Sequence, residues 1–514
     1  MKMKIDKNLI SVCDRQITNA VQAVYSFLTR FFSLGPLSDA FFVKPGDRIR
    51  QSPAVFFILF AAAACANILF CKQYGFAAAF IIISWLSVAY PAMALALAAF
   101  LFPLDAPADL FGSFTIYTNE LFLIILCAGA LLNTILTNKK SIKLLSGIFL
   151  MLMFAAFALL PLFWVHDKTA LFKAAVKGSE IFIMFFLASA VINDKKDFLL
   201  AVSGIVMGIF ITTSVSFYQL IYEYDMLDKF YTGLELIPRL NGGMSVTTYS
   251  GYLNYLLMAA FLILFVSKNK ILQITLFFLS SFIFASQLAF PYSRNGWIVL
   301  SVLAILSITA VIRLKIKMGV LKLGSIFLIA LIMTNILILS FISQHLTKTP
   351  ASGFKTLTSR TSSTFIKGSD TNYSTISRLE FYKIGLKVVQ RYPLGVGAGN
   401  YKEMIFRFAK NSNIDPAFIH HMHNTYLHTL VTCGAGGLIC LILIFIFLYY
   451  RIYLSFIRSK DKFTRISTVF TSLAFFGFML GILLDSYTVF GRGIIFSILP
   501  GALFGLLNNP ENDI

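Results

Sequence analysis

The chain has 514 residues, of which 58% are hydrophobic and 13% are charged, and its mean hydropathy is +0.80. Because soluble proteins carry about a quarter charged residues, this composition excludes a soluble domain as the main body of the chain. The formal net charge of +20 would indicate nucleic acid in a soluble protein. Here the basic residues lie mostly between apolar runs, where they indicate membrane topology, so no nucleic-acid partner is predicted.

The N-terminal segment 1–50 is basic and is predicted to be a cytoplasmic lead-in. It lacks the compact apolar core and the small-residue cleavage site of a signal peptide. The six cysteines form no C-x-x-C pair, so we predict neither a disulfide framework nor a zinc site from them.

Repeated apolar runs after the lead-in predict transmembrane helices. The predicted fold is an all-α polytopic membrane protein with about 12–14 transmembrane helices and one long periplasmic loop that contains helices. Two short runs are divided by Pro91 and could be a hairpin, one broken helix or a re-entrant segment. The predicted spans are 53–71, 75–90, 92–104, 119–137, 143–163, 173–192, 198–221, 248–266, 271–290, 296–313, 320–342, 425–450, 466–489 and 493–508.

Basic residues in five connections predict the orientation, because all five fall on one side when the spans are threaded in order. The positive-inside rule makes that side cytoplasmic, together with both termini. The resulting segments are a lead-in at 1–50, helices with short loops at 51–342, a long periplasmic loop at 343–424, helices at 425–508 and a tail at 509–514. The basic connections contain Lys139, Lys140 and Lys143; Lys195 and Lys196; Lys268 and Lys270; Arg313, Lys315, Lys317 and Lys322; and Arg451, Arg458, Lys460, Lys462 and Arg465.

Four of the six histidines lie together where the long loop meets span 425–450: His420, His421, His423 and His428. An imidazole at a membrane boundary can accept a proton at neutral pH, which favours a catalytic base. A polar helix cap with interfacial histidines is an equally good interpretation. A metal site through His420 and His423 is a weaker one, because acidic ligands are scarce nearby.

The long loop also contains a predicted amphipathic helix. Ser377 and Glu380 fit a capping box, and Tyr392-Pro393 is expected to end the helix. A glycine-rich turn, 394–400, follows and allows close approach of backbone to a neighbouring helix or to an anion; packing of the loop against the membrane domain is the favoured interpretation. The residues expected on one helix face are Leu379, Tyr382, Leu386 and Val389.

Two arginines lie at predicted span ends on the loop side. Arg239 stands in I-P-R-L-N-G-G, and Arg294 stands in P-Y-S-R-N-G-W at a very short turn. A guanidinium with few acids beside it suits a phosphate. Snorkelling toward lipid headgroups is the alternative, and it is weaker for Arg294 because so short a turn can hold the side chain over the bundle.

These motifs together resemble the O-antigen ligase and O-antigen polymerase superfamily. The family pattern has Arg-x-x-Gly before one span and Ser-Arg-x-Gly opening another. It continues with an Arg-led helix that reaches Pro-x-Gly-x-Gly-x-Gly-Asn, then His-x-His-Asn-x-x-Leu with glycines beyond. This chain shows R-L-N-G-G, Y-S-R-N-G-W, S-R-L-E-F-Y-K-I-G-L-K-V-V-Q-R-Y-P-L-G-V-G-A-G-N-Y, H-M-H-N-T-Y-L and G-A-G-G-L. The match runs from about residue 239 to 440.

The resemblance implies a glycosyltransferase of the bacterial inner membrane, with its active site on the periplasmic face. It implies a glycan donor linked to undecaprenyl diphosphate and, in the ligase branch, the lipid A core oligosaccharide as acceptor. The polymerase branch would join lipid-linked repeat units instead. A lipid-linked glycan transporter is the competing class, but the spans offer few charged residues for a polar path.

The resemblance also implies roles for individual residues. His423 is the first candidate for the catalytic base and His421 the second, while Arg239 and Arg294 would bind the donor diphosphate. Direct displacement would invert the anomeric configuration, and we expect no metal and no cofactor. The residues expected on the loop and acceptor side are Arg378, Gly397, Gly399 and Asn424.

Overall fold

The structure is a computed structural model. It describes residues 74–103, 107–110, 114–136, 148–222, 229–232, 235–238, 245–289, 291, 293–314, 373–409, 422–484 and 492–507. The predicted spans 53–71 and 320–342 lie outside these residues.

The described part of the chain is almost entirely helical, with two short antiparallel β-hairpins. Strands β1 (Pro107–Leu110) and β2 (Phe114–Tyr117) form one hairpin, and β3 (Lys229–Thr232) and β4 (Glu235–Pro238) form the other. The helices are α1 Tyr74–Ala89, α2 Pro91–Leu101, α3 Thr118–Leu136, α4 Ile148–Leu159, α5 Lys168–Val191, α6 Lys195–Tyr222, α7 Val246–Val266, α8 Lys270–Ala289, α9 Arg294–Arg313, α10 Tyr373–Arg391, α11 Tyr401–Phe408, α12 Thr425–Arg458, α13 Lys462–Leu484 and α14 Ile495–Leu507.

The all-α polytopic fold predicted from the apolar runs is confirmed. Six helices of the described part are long and apolar enough to cross a membrane, namely α5, α6, α7, α9, α12 and α13. Shorter apolar helices accompany them, including α2 and α14. The break at Pro91 separates α1 from α2, because proline opens the second helix at its first position.

Helix α7 forms the centre of the bundle and is buried along nearly its whole length. Tyr249, Tyr252 and Tyr255 follow one another down this helix and are almost completely buried. A buried hydroxyl needs a hydrogen-bond partner. Tyr255 Oη accepts from Leu499 N at 2.9 Å, next to the proline in α14, and Tyr249 Oη accepts from Ser216 Oγ at 3.3 Å.

Two of the basic connections meet at the same end of the bundle, as their pattern predicts. Lys195 Nζ, before α6, lies 2.9 Å from Asp461 Oδ2, before α13. Burial alone would raise the pKa of Asp461, but hydrogen bonds from Lys195 and Thr464 lower it below its ordinary value. The contact places these connections together, and which compartment they face remains a prediction.

Candidate active site

His423 and Asn424 form the entry to α12, at the opposite end of the bundle from the Lys195–Asp461 pair. Asn424 is the N-cap residue of this helix, and its Oδ1 accepts a hydrogen bond from Leu427 N at 3.0 Å. His423 has φ of 50°, in the left-handed region that non-glycine residues seldom adopt. A strained, half-buried residue beside a helix start is a reasonable candidate for a functional group.

Replacing Asn424 separates a capping role from direct substrate contact. We expect Asn424→Ala to lower the free energy of unfolding by about 1 kcal/mol and Asn424→Ser to restore most of it, because serine is also a good N-cap. Thermal unfolding of the purified variants gives these values. If Asn424 also has a role beyond the cap, function will stay low in Asn424→Ser although its stability is recovered.

Helix α10 of the long loop begins earlier than predicted and buries a different face. It starts at Tyr373, so Ser377 lies inside the helix and the capping-box prediction is wrong; Glu380 pairs instead with Lys383 at 2.8 Å. The predicted apolar face is wrong for Leu379 and Leu386, which are 54% and 51% exposed, whereas Tyr382 and Val389 pack against the small core described below. The predicted end before Pro393 is confirmed.

The buried face of α10 consists of Phe381, Ile384 and Val388, which pack into a small core separate from that of the bundle. Gly385 lies on this face, where a side chain would collide with Met422. The glycine therefore lets α10 approach the residue just before His423. The small core fixes α10 against the start of α12, so the long loop and the histidine motif form one packed unit.

The glycine-rich turn docks onto a break in α12. Gly434 interrupts this helix with φ of 72°, and Gly395 faces it with φ of 88°. The break exposes backbone groups that the turn then satisfies. Val396 N donates to Val431 O at 2.9 Å, Gly397 N donates to Thr432 O at 3.0 Å, and Ala435 N donates to Pro393 O at 3.1 Å.

The other side of the same turn contacts the connection between α4 and α5. A side chain at Gly397 would meet Pro161, and one at Gly399 would meet the carbonyl of Asp167. Asn400, which is buried, accepts a hydrogen bond from His166 N at 3.0 Å. The structure thus places Gly397 and Gly399 in tight packing between two parts of the bundle, which agrees with the favoured sequence interpretation.

A shared carbonyl brings the loop helix and the Y-S-R-N-G-W motif together. Arg378 Nη1 donates to Leu484 O at 3.2 Å, and Asn295 Nδ2 donates to the same oxygen at 3.0 Å. One turn further along α10, Tyr382 Oη donates to His423 O at 3.3 Å. A helical turn advances about 5.4 Å, so α10 joins the histidine motif to the start of α9 within a short distance.

Arg294 is the first residue of α9, directly before Asn295. Ser293 caps the helix, and its Oγ accepts from Gly296 N at 3.4 Å. Gly296 has no room for a side chain because Ser250 of α7 lies against it, and Asn254 Nδ2 donates to its carbonyl at 3.0 Å. The Ser-Arg-x-Gly motif thus anchors the backbone of Arg294 at this end of the bundle.

The hydrogen bond of Arg378 to the end of α13 should stabilise the docked loop helix. We expect Arg378→Met to lower the free energy of unfolding by about 1–3 kcal/mol, because a charged donor is lost from a partly buried carbonyl. Lys383→Met, on the exposed side of the same helix, should cost less than about 0.5 kcal/mol. Equal losses in the two variants, measured by thermal unfolding, would contradict this role for Arg378.

The structure describes only part of the predicted site. It brings His423, Asn424, Arg378, Gly397 and Gly399 into one packed unit at one end of the bundle. His421 and Arg239 lie outside the described residues. The side chain of Arg294 is also outside the description, so its role and that of Arg239 remain predictions. In the part of the chain that the structure covers, no group of three or more potential metal ligands occurs.

Two features beside this site were not predicted. Lys177 of α5 forms an ion pair with Glu120 of α3 between two helices of the bundle. The rings of Tyr401 and His428 pack edge to face with centroids 4.7 Å apart, and burial raises the pKa of the Tyr401 hydroxyl well above its ordinary value. The charged residues inside span 173–192 could have predicted the Lys177–Glu120 ion pair, because ionisable groups in a transmembrane span usually pair with one another.

The fold and the packed unit define a polytopic membrane protein in which α10 and the glycine-rich turn pack against the start of α12 at one end of a helical bundle. A family model described as O-antigen ligase matches residues 279–442. This match over residues 279–442 agrees with the resemblance to the O-antigen ligase superfamily seen in the motifs. The matched segment includes α9, α10, the glycine-rich turn, His423 and the start of α12. No curated protein matches the chain.

Proposed function

We propose that this protein is an O-antigen ligase-like glycosyltransferase that moves a glycan from undecaprenyl diphosphate to the lipid A core oligosaccharide. The match of residues 279–442 to the O-antigen ligase family model supports an enzyme of this kind. The proposal places the protein in the bacterial inner membrane, with the packed unit of loop and histidine motif on the periplasmic side. Both termini and the Lys195–Asp461 end would then be cytoplasmic.

One observation carries the proposal. Helix α10 contacts the carbonyl of His423 through Tyr382 and, one turn away, shares the Leu484 carbonyl with Asn295 through Arg378. A candidate base and the backbone that carries a candidate phosphate-binding arginine are thus joined by a single rigid element. A transfer reaction needs this combination, because the base and the leaving group act on opposite sides of the same anomeric carbon.

The proposed chemistry takes place on the two sides of the anomeric carbon of the donor sugar. His423 would take the proton of the acceptor hydroxyl, whose oxygen attacks the anomeric carbon. The bond to the diphosphate breaks, and undecaprenyl diphosphate leaves with the electron pair. Arg294 and Arg239 would stabilise the negative charge that develops on the leaving group. A single displacement of this kind inverts the configuration and needs no metal.

The other proposed residues act around this centre. Arg378, together with the exposed Lys383, Lys387 and Arg391 on α10, gives the loop a basic surface that would suit a phosphorylated acceptor. Gly397, Gly399 and Asn424 would contribute by fixing the loop and the start of α12. His421 stays the second candidate for the base.

The test is a transfer assay with purified protein in chelator. Undecaprenyl-diphosphate glycan is the donor and lipid A core is the acceptor, and wild type is compared with Arg294→Gln. We expect glycan-bearing core with wild type and a rate lower by about 10²–10³ in the variant, the usual effect of losing one oxyanion-stabilising donor.

The products distinguish the alternatives. Lengthening of the lipid-linked glycan while the core stays bare would show a polymerase and reject the ligase proposal. Product that forms only after a divalent metal is added would reject the metal-free mechanism. An Arg294→Gln variant with full activity would remove Arg294 from the diphosphate site.

A further inference from the structure

A groove runs down one side of the bundle from the candidate active site. It is a cavity of about 180 Å³ between α4, α5, α12 and α13, and the glycine-rich turn reaches it through Ala398. Along α5 the lining extends from Leu171 to Phe182, about 16 Å at 1.5 Å per residue. We call this cavity the α5 groove. Thr425, two residues after His423, lies in its wall.

The lining of the α5 groove changes along its length. Near the active-site end, α12 contributes Thr425, His428, Thr429 and Thr432. Farther along, the walls are formed by side chains such as Phe182, Leu441 and Phe445. Lys177 is the charged exception, and its ion pair with Glu120 balances its charge. This arrangement matches an amphiphile with its polar end at the active site and its hydrocarbon chain along α5.

Gly178 holds the groove open. A glycine inside a helix costs about 1 kcal/mol relative to alanine, so it usually has a packing reason. Several other glycines of the bundle have one, since a side chain at Gly204 or Gly296 would collide with a neighbouring helix. A side chain at Gly178 would meet nothing within 4 Å. What the glycine preserves is therefore space, and that space is the α5 groove.

The volume of the groove is sufficient for a branched hydrocarbon segment. Apolar protein cavities of about 150 Å³ remain free of water and bind molecules the size of benzene. The small side chains Ala155 and Ala158 on α4, and Ala174 one turn before Gly178 on α5, leave room beside Gly178. An isoprene unit, with its methyl branch, is an occupant of this kind, and a chain of such units can continue out of the groove between the helices.

We propose that the α5 groove binds the isoprenoid chain of the lipid-linked donor and that Gly178 sets the room available to it. This proposal rests on the proposed function for the identity of the donor. The chain units nearest the diphosphate would lie between Thr429 and Gly178, with the diphosphate above them at the level of Thr425. Binding of the chain would hold the diphosphate beside His423 before the acceptor arrives.

The test measures lipid binding directly and needs no reaction. The probe is undecaprenyl phosphate carrying a diazirine in its isoprenoid chain, and labelled peptides of the purified full-length protein are identified by mass spectrometry. We expect labelling in α5 and α12. In Gly178→Leu the labelling should fall about tenfold, because the new side chain fills the space of the first isoprene units. The labelling of Gly178→Ala should lie between that of Gly178→Leu and that of wild type.

Two control variants and one competition complete the test. Val176→Leu changes a residue of the same helix that is 40% exposed and does not line the groove. The labelling of this variant should equal that of wild type. Ala158→Leu narrows the groove from α4 and should lower labelling as Gly178→Leu does. Unlabelled undecaprenyl phosphate should compete at a concentration about tenfold lower than phosphatidylglycerol does.

Three outcomes would overturn the proposal: unchanged labelling in both Gly178→Leu and Ala158→Leu, an equal loss in Val176→Leu, or equal competition by phosphatidylglycerol, which would make the groove a general lipid contact. Failure of the proposed function is distinguishable from these. If wild type leaves the lipid A core bare in the transfer assay, the ligase function is rejected, while the labelling result still shows whether the groove binds the isoprenoid chain.

Discussion

Replacing His423 by asparagine is expected to lower the rate of glycan transfer by about 10²–10⁴, the usual effect of losing a general base. Asparagine is chosen because it tolerates the left-handed backbone that His423 adopts, with φ of 50°, whereas alanine would add strain. The variant should therefore keep its thermal stability while losing activity. The measurement is initial transfer rate at saturating donor, beside a thermal unfolding curve.

His166 offers a matched control for this experiment. It is an exposed histidine in the connection between α4 and α5, close to the glycine-rich turn. His166→Gln should transfer glycan at the wild-type rate. If His423→Asn keeps a rate within about threefold of wild type, general-base catalysis by His423 is contradicted, because so small a change is less than 1 kcal/mol of activation free energy.

Of the glycine-to-alanine substitutions between the described part of the loop and α12, Gly434→Ala should weaken the docking of the loop most. Gly434 has φ of 72°, and a side chain there would collide with the backbone of Leu394. Left-handed strain and overpacking each cost about 1–3 kcal/mol, so we expect a loss of about 2–6 kcal/mol in docking the turn onto α12. Activity should fall with it, since the turn and α10 hold the start of α12.

Limited proteolysis of the long loop measures this effect most directly, because undocking exposes the chain between α10 and α12. Gly178→Ala is the stability control. It adds the same methyl group to a helix where nothing lies within 4 Å, and it should raise the unfolding temperature slightly. A Gly434→Ala variant as resistant to protease as Gly178→Ala would show that the glycine pair does not fix the loop.

The helices were predictable because a membrane-spanning helix needs about twenty consecutive apolar residues, and few other patterns produce such runs. The end of α10 was predictable for an equally local reason, since Pro393 cannot continue the helix. The face that α10 buries was not. Leu379 and Leu386 are as apolar as the residues that are buried, yet the helix packs through Phe381, Ile384 and Val388, beside Gly385, whose missing side chain admits Met422. Which face of α10 is buried depends on the surface around Met422 that it packs against.

Contacts between segments that are far apart in the chain could not be predicted from the sequence either. The break at Gly434 lies inside an unbroken apolar run, and only the turn around Gly395, far away in sequence, satisfies the backbone groups that it exposes. The Lys177–Glu120 pair and the meeting of Arg378 with Asn295 at Leu484 have the same origin. Each depends on which helices become neighbours, and the hydrophobic pattern of a span carries little information about that.

The break at Gly434 sets the depth of the candidate active site in the membrane. From Gly434 to Arg458, α12 rises about 36 Å, more than the hydrocarbon core of a bilayer, about 30 Å thick. The nine preceding residues are therefore not needed for the crossing and can stand among the lipid headgroups. That is the depth at which the phosphates of any lipid reside. The number of residues from Asn424 to Gly434 thus sets how far His423 lies from the bilayer core and which way it faces. Inserting one residue there would move His423 about 1.5 Å outward along the helix axis and rotate it by about 100° around that axis.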